Sequence, residues 1–127
     1  MRWVDALRFE GAGVGRPPIL VDGDSQAATS PVELLLVAAA SCTAADIVLI
    51  LQKQRIKLAA LDIEVHGTRR DTEPRRYTAI AFEFAVRGDG ADETKVRRAI
   101  DLSLEKYCSV VASLAADIAI SYDVTIA

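Results

Sequence analysis

Two thiols dominate the chemistry available to this chain: Cys42, inside the apolar run SPVELLLVAAASCTAADIVLIL, and Cys108, inside LEKYCSVVASL. An unpaired cysteine is often inert core filler. To react it must ionise. A thiol of ordinary pKa is only a few per cent thiolate at neutral pH, so a cation or a helix N-terminus has to help. The middle of a helix supplies no such dipole to Cys42. Asp46, one helical turn later on the same face, would repel a thiolate unless an arginine joined the pair. Buried acids are normally paired, so a satisfied core or inter-subunit carboxylate is the simpler role for Asp46. Glu33 follows Ser30-Pro31-Val32 in the pattern of a capping box, with serine at the N-cap and proline at the first helical position. Nine positions separate Glu33 from Cys42. That is two and a half turns, which places the two on opposite sides of one helix.

Other chemistries find less support. The cysteines lie 66 positions apart with no CxxC, and the chain has one histidine. A zinc site would need both thiols, His66 and a carboxylate or water. His66, however, shares the polar side of LDIEVHG with Asp62 and Glu64, so ligands run short. The glycines of GAGVGRPP precede no helix start and make a poor phosphate cradle. Arg69, Arg70, Arg75 and Arg76 flank a hairpin tip, where charges are ordinarily solvated. A net charge of -3 argues against a nucleic-acid ribbon. No cofactor is expected. The N-terminus alternates polar and apolar residues without an export-signal pattern, which makes the cytoplasm the default location. Residues 32–51 are long enough to cross a bilayer. Glu33 and Asp46 within them argue instead for a buried helix of a soluble protein with no membrane partner.

The elements that must position these residues follow from periodicity. A strand is expected over residues 2–9, a glycine-rich turn after it, and a second short strand at ILVD. The cysteine helix should begin at Ser30 and run to about Gln54, with Lys53 and Arg55 at its C-terminal end, where the dipole favours cations. LAALDIEVHGTRR and RRYTAIAFEFAVRG alternate at period two across DTEP and predict a long antiparallel hairpin. Ile80, Phe82, Phe84 and Val86 share its inner face, and small alanines occupy the other. Val96, Ile100, Leu104 and Cys108 recur every four residues in a second helix that buries Cys108. Ser109 is expected to cap a short helical turn, and a last strand should turn Ile118, Ile120, Tyr122, Val124 and Ile126 inward. Strands and helices do not alternate, which predicts a single α+β domain over residues 1–127 with a mainly antiparallel sheet. The cysteine helix is apolar on every face, more than one sheet can cover. A second copy of the chain would supply the missing cover, so a homodimer is expected.

The cysteine-helix run, followed by LEKYCSVVASL at this separation, resembles the OsmC/Ohr family of osmotically induced and organic-hydroperoxide-resistance proteins. The likeness covers nearly the whole chain and is weakest in the first thirty residues. It implies an intertwined homodimer in which sheets wrap around two long central helices, with active sites at the subunit interface. It implies further that Cys42 is the peroxidatic thiol and Cys108 its resolving partner, that the substrate is an organic hydroperoxide, and that a dithiol, such as a lipoyl protein, restores the thiols. In the family's peroxidases a catalytic glutamate directly follows the helix-start proline. Here that position is Val32, and Glu33 comes one later, about 100° around the helix. The family's arginine comes from the N-terminal hairpin, where Arg16 is the nearest match by location. The resemblance thus gives Cys42, Cys108, Arg16 and Glu33 as the catalytic set of a hydroperoxide reductase. The displaced glutamate supports the alternative of a dimeric binding module for an apolar small molecule, with vestigial or redox-sensing thiols.

Overall fold

The computed structural model describes all 127 residues, Met1–Ala127. The chain forms two compact units, Met1–Leu35 and Leu36–Ala127.

The first unit is an antiparallel meander of β1 (Arg2–Asp5), β2 (Arg8–Gly11) and β3 (Ile19–Asp22). The single strand expected over residues 2–9 is broken. The chain reverses at Ala6-Leu7, with Ala6 at φ 43 and its carbonyl accepting the Trp3 indole N–H at 2.9 Å. Asp5 and Arg8 clamp the reversal with two bonds of 2.6 Å. No glycine announces this turn, because local hydrogen bonds offset the cost of the left-handed residue. After β3, the buried Asp22 carboxylate gathers the loop by accepting the backbone N–H groups of Ala27, Asp24 and Gln26. Those bonds, Ala27's foremost, hold its pKa below the usual carboxylate range.

Helix α1 (Pro31–Lys53) starts and ends within a residue of expectation and stops where Arg55 enters φ 61. Ala39, Thr43, Ile47 and Leu51, each four apart, form its fully buried stripe. The remaining apolar faces are left open: Leu35, Val37 and Leu49 are 44%, 54% and 57% exposed. By length and composition α1 could cross a membrane, a test that core helices also pass.

The second unit is built on the long hairpin of β4 (Lys57–Arg69) and β5 (Tyr77–Asp89), as the alternation predicts. Ile80, Phe82, Phe84 and Val86 of β5 are all at most 2% exposed. At Gly67 any Cβ would overlap the Tyr77 ring, so the hairpin closes around a missing side chain. Strand β6 (Ala119–Ile126) joins β5 in parallel. Three of the four strand pairings are therefore antiparallel and one is not, as befits a strand that returns after a helical connection. That connection holds α2 (Glu93–Leu102), a π-helical turn (Ser103–Tyr107) and the short α3 (Ser109–Ser113). Tyr122 of β6 is tied to α2 by a 2.7 Å bond to Asp101 and by the Arg97 guanidinium over its ring. The fold is α+β, as expected, with mainly antiparallel sheets.

Candidate functional site: a thiol pair and a serine-bound carboxylate

The site lies in the second unit, where α1 supplies one wall. Because Thr43 belongs to the buried stripe, the preceding Cys42 is turned about 100° to the flank of the helix and is half-buried. Asp46 stands one turn beyond it on the same flank.

The other wall comes from the π turn. Its wide i to i+5 bond, Cys108 N–H to Ser103 carbonyl at 2.7 Å, inserts one residue into the helical phase, a local irregularity often found at functional sites. Ser103 is fully buried and Cys108 only 3% exposed. The backbone then straightens at Cys108 (φ -70, ψ 101), and Cys108, not Ser109, caps α3. The thiol can do this because its sulfur accepts the Val111 N–H at 3.4 Å.

Three donor atoms converge here: Cys42 Sγ, Cys108 Sγ and a carboxylate oxygen of Asp46 lie within 4.8 Å of one another. Both cysteines are free thiols. Each group is held by a neighbour. Ser103 Oγ donates to Asp46 Oδ2 at 2.8 Å, and Thr43 Oγ1 donates to Cys108 Sγ at 3.5 Å. Burial pushes the Cys108 thiol above its ordinary pKa; the Thr43 and Val111 donors oppose that, and the adjoining Cys42 adds to it. Of the two sulfurs, Cys42 is the more accessible.

Asp46 also borders a cavity of about 620 Å³ whose walls include Leu49, Ile50 and Leu102 together with Lys53 and Arg98. Gln54 lines it too, and its buried Oε1 has no hydrogen-bond partner. The cavity joins an apolar wall to two cations and opens at the carboxylate of the thiol cluster.

Sequence reasoning paired Cys42 with Cys108 through resemblance, and the fold brings them together. Arg16 and Glu33 belong to the first unit. Arg16 is exposed in a turn closed by its own N–H on the Gly13 carbonyl. Glu33 Oε1 accepts the hydroxyls of Ser30 at 2.8 Å and Ser25 at 2.9 Å, while its N–H donates to Ser30 Oγ. The Ser30 bond first and the Ser25 bond second hold its pKa below the ordinary value. His66 is exposed on β4 in a separate cluster with Glu64 and Glu83. Ser103 and Thr43 were not singled out from sequence. The usable signal was a hydroxyl residue on an otherwise buried stripe, at Thr43 among Ala39, Ile47 and Leu51.

This architecture of hairpin, thiol helix, second hairpin and thiol-bearing turn matches a known class. The family model described as OsmC-like protein matches residues 22–123, and the chain belongs to that family. It is 42% identical over 130 residues to Protein YhfA of Escherichia coli strain K12, covering 100% of this chain and 97% of that protein. A crystal structure of a hypothetical protein from Aquifex aeolicus VF5 superposes with TM-score 0.83 at 29% identity, covering 99% of this chain and 93% of the other. The organic hydroperoxide resistance protein OhrB of Bacillus subtilis shares the fold with TM-score 0.61 at 16% identity, over 93% of this chain and 97% of its own.

Proposed function

We propose that this protein reduces organic hydroperoxides with its two thiols, as part of defence against oxidative stress in the cytoplasm. The observation that carries this reading is the approach of two free sulfurs to within 4.8 Å. Cys42, the more accessible, attacks as thiolate: its sulfur bonds the terminal peroxide oxygen, the O–O bond breaks, and the departing alkoxide takes a proton and leaves as alcohol. The resulting sulfenic acid at Cys42 is attacked by Cys108, an S–S bond forms and water leaves. A dithiol, of the lipoyl kind that the family resemblance implies, returns both thiols by exchange. The raised pKa of Cys108 suits this division of labour, because a resolving thiol stays protonated until the sulfenic acid appears beside it.

The rest of the assembly belongs to the same proposal. The family model runs across the boundary between the two units, which supports reading the chain as one domain. The open face of α1 at Leu35, Val37 and Leu49 supports a homodimer built on that helix, since such a surface is a standard mark of an interface. Arg16 is the candidate cation for the Cys42 thiolate, on the family resemblance alone. Glu33 matches the family's catalytic glutamate by location alone; with its carboxylate engaged by two serines, its role here is the helix cap.

The cavity beside Asp46 favours a second reading, a binding module for an apolar small molecule. One assay separates them. Consumption of tert-butyl or cumene hydroperoxide with dihydrolipoamide as reductant should proceed in the native protein and fall to background in Cys42→Ser. Background rates in the native protein, with unchanged occupancy of the cavity in Cys42→Ser, would leave the binding reading in possession.

A further inference from the structure

The thiol cluster gathers three ligand atoms from two elements: Cys42 Sγ and an Asp46 carboxylate oxygen from α1, and Cys108 Sγ from the end of the π turn, all within 4.8 Å of one another. None of the chain's ion pairs includes Asp46. We propose that the reduced protein binds one thiophilic divalent cation, zinc by preference, through Cys42, Cys108 and Asp46, with water in the fourth position.

The ligand set fits that ion. Zinc takes thiolate sulfur at about 2.3 Å and carboxylate oxygen at about 2.0–2.2 Å, so two sulfurs in its tetrahedron stand about 3.8 Å apart. The donor atoms, all within 4.8 Å of one another, lie near that spacing. Cys42 and Asp46 stand at i and i+4, the spacing that puts two ligands on one helix face in helical zinc motifs. Cys108 comes from across the helix, on the π turn, so the three donors are not confined to one edge. The ligand shortage set against zinc on sequence grounds disappears once Asp46 replaces His66, which belongs to a separate cluster.

The supporting shell is also in place. Ligating carboxylates and thiolates are commonly fixed by second hydrogen bonds. Ser103 donates to Asp46 Oδ2, leaving Oδ1 for a metal, while Thr43 and the Val111 N–H donate to Cys108 Sγ. The cavity that reaches Asp46 gives an ion a path in. Binding releases the two thiol protons to solvent and involves no electron transfer. Because both sulfurs are ligands, the metal-bound form and a Cys42–Cys108 disulfide exclude each other. The inference shares a site with the peroxidase reading but does not depend on it.

The test is a titration of the reduced, metal-free full chain with Cd²⁺, read by its ultraviolet thiolate charge-transfer band, and with Zn²⁺ against a chromophoric chelator. The expected result is one ion per chain. Cys42→Ser and Cys108→Ser should each lose the band's full intensity and weaken binding at least 100-fold. Asp46→Asn should weaken it by about the same factor and Ser103→Ala about 10-fold, the low end for an outer-shell partner. His66→Ala, which removes the exposed cluster with Glu64 and Glu83, should change nothing. Near-UV circular dichroism confirms that each variant is folded, and Ser103→Ala decides the matter if Asp46→Asn is not. The proposal is overturned by no uptake in the reduced native chain, by uptake that survives in the disulfide form, by loss of binding in His66→Ala, or by folded Asp46→Asn and Ser103→Ala binding as tightly as the native chain. Intact mass of the same samples after hydroperoxide shows separately whether the disulfide forms, so the metal site can fail while the redox reading stands, and the reverse.

Discussion

Glu33 and Asp46 sit on the same helix, and each is held by serine hydroxyls, yet the two regions do different work. Glu33 is exposed at the first turn and takes hydrogen bonds from Ser30 and Ser25. Asp46 is half-buried in the body of the helix, takes one from Ser103, and faces two sulfurs. A serine-bound carboxylate therefore says little by itself. At the helix start it closes a capping box, satisfying backbone groups that lack partners there. Beside the thiols it brings a carboxylate oxygen to within 4.8 Å of both sulfurs. Family resemblance directed attention to the first carboxylate; the geometry directs it to the second.

That contrast can be broken at several points. The largest effect belongs to the sulfurs: Cys108→Ser should leave a Cys42 sulfenic acid that over-oxidises to sulfinic acid, seen as added oxygen by mass spectrometry, instead of a disulfide. Alkylation of the reduced protein near pH 8 should label Cys42 several-fold faster than Cys108, since the latter is buried with a raised pKa; equal rates would undo the assignment of roles. Ser103→Ala should lower stability by about 1–3 kcal/mol, because it strips a half-buried carboxylate of its donor; urea unfolding measures this. Thr43→Val removes only the hydroxyl that meets Cys108 Sγ, and about 1 kcal/mol is expected.

The smallest effect is at Glu33. Its folded-state pKa lies below the ordinary 4.5, so its contribution to stability is fully present above that pH and is lost as the pH falls through the depressed value. Glu33→Gln should flatten this acid limb in a thermal-melt series and leave peroxide turnover near pH 7 unchanged. A large loss of turnover would move Glu33 from the cap into the chemistry.

Much of the scaffold was legible from residue pattern. The capping box at Ser30 and the alternation in the long hairpin each report a local preference, and each element formed; the four-residue recurrence of Val96, Ile100, Leu104 and Cys108 holds as an α-helix only to Leu102, where the π turn takes over. What escaped was set by tertiary contacts. The reversal at Ala6 depends on the Trp3 indole and the Asp5–Arg8 clamp, and no glycine marks it. The parallel pairing of β6 is a matter of connection, to which period-two patterning is blind. The π turn re-phases Cys108 without altering the apolar recurrence that led to it. The Ser103–Asp46 bond joins residues 57 positions apart and could not be read from either neighbourhood. The thiol pairing itself came through family resemblance, not through spacing.

The central claim is that Cys42 and Cys108 act as one redox unit, and its most direct test is intact mass with peptide mapping after one equivalent of organic hydroperoxide per reduced chain. The expected result is loss of two hydrogens and a single cross-linked peptide joining residues 42 and 108 within one chain. Recovery of both free thiols, or a cross-link that joins Cys42 of one chain to Cys42 of another, would contradict it.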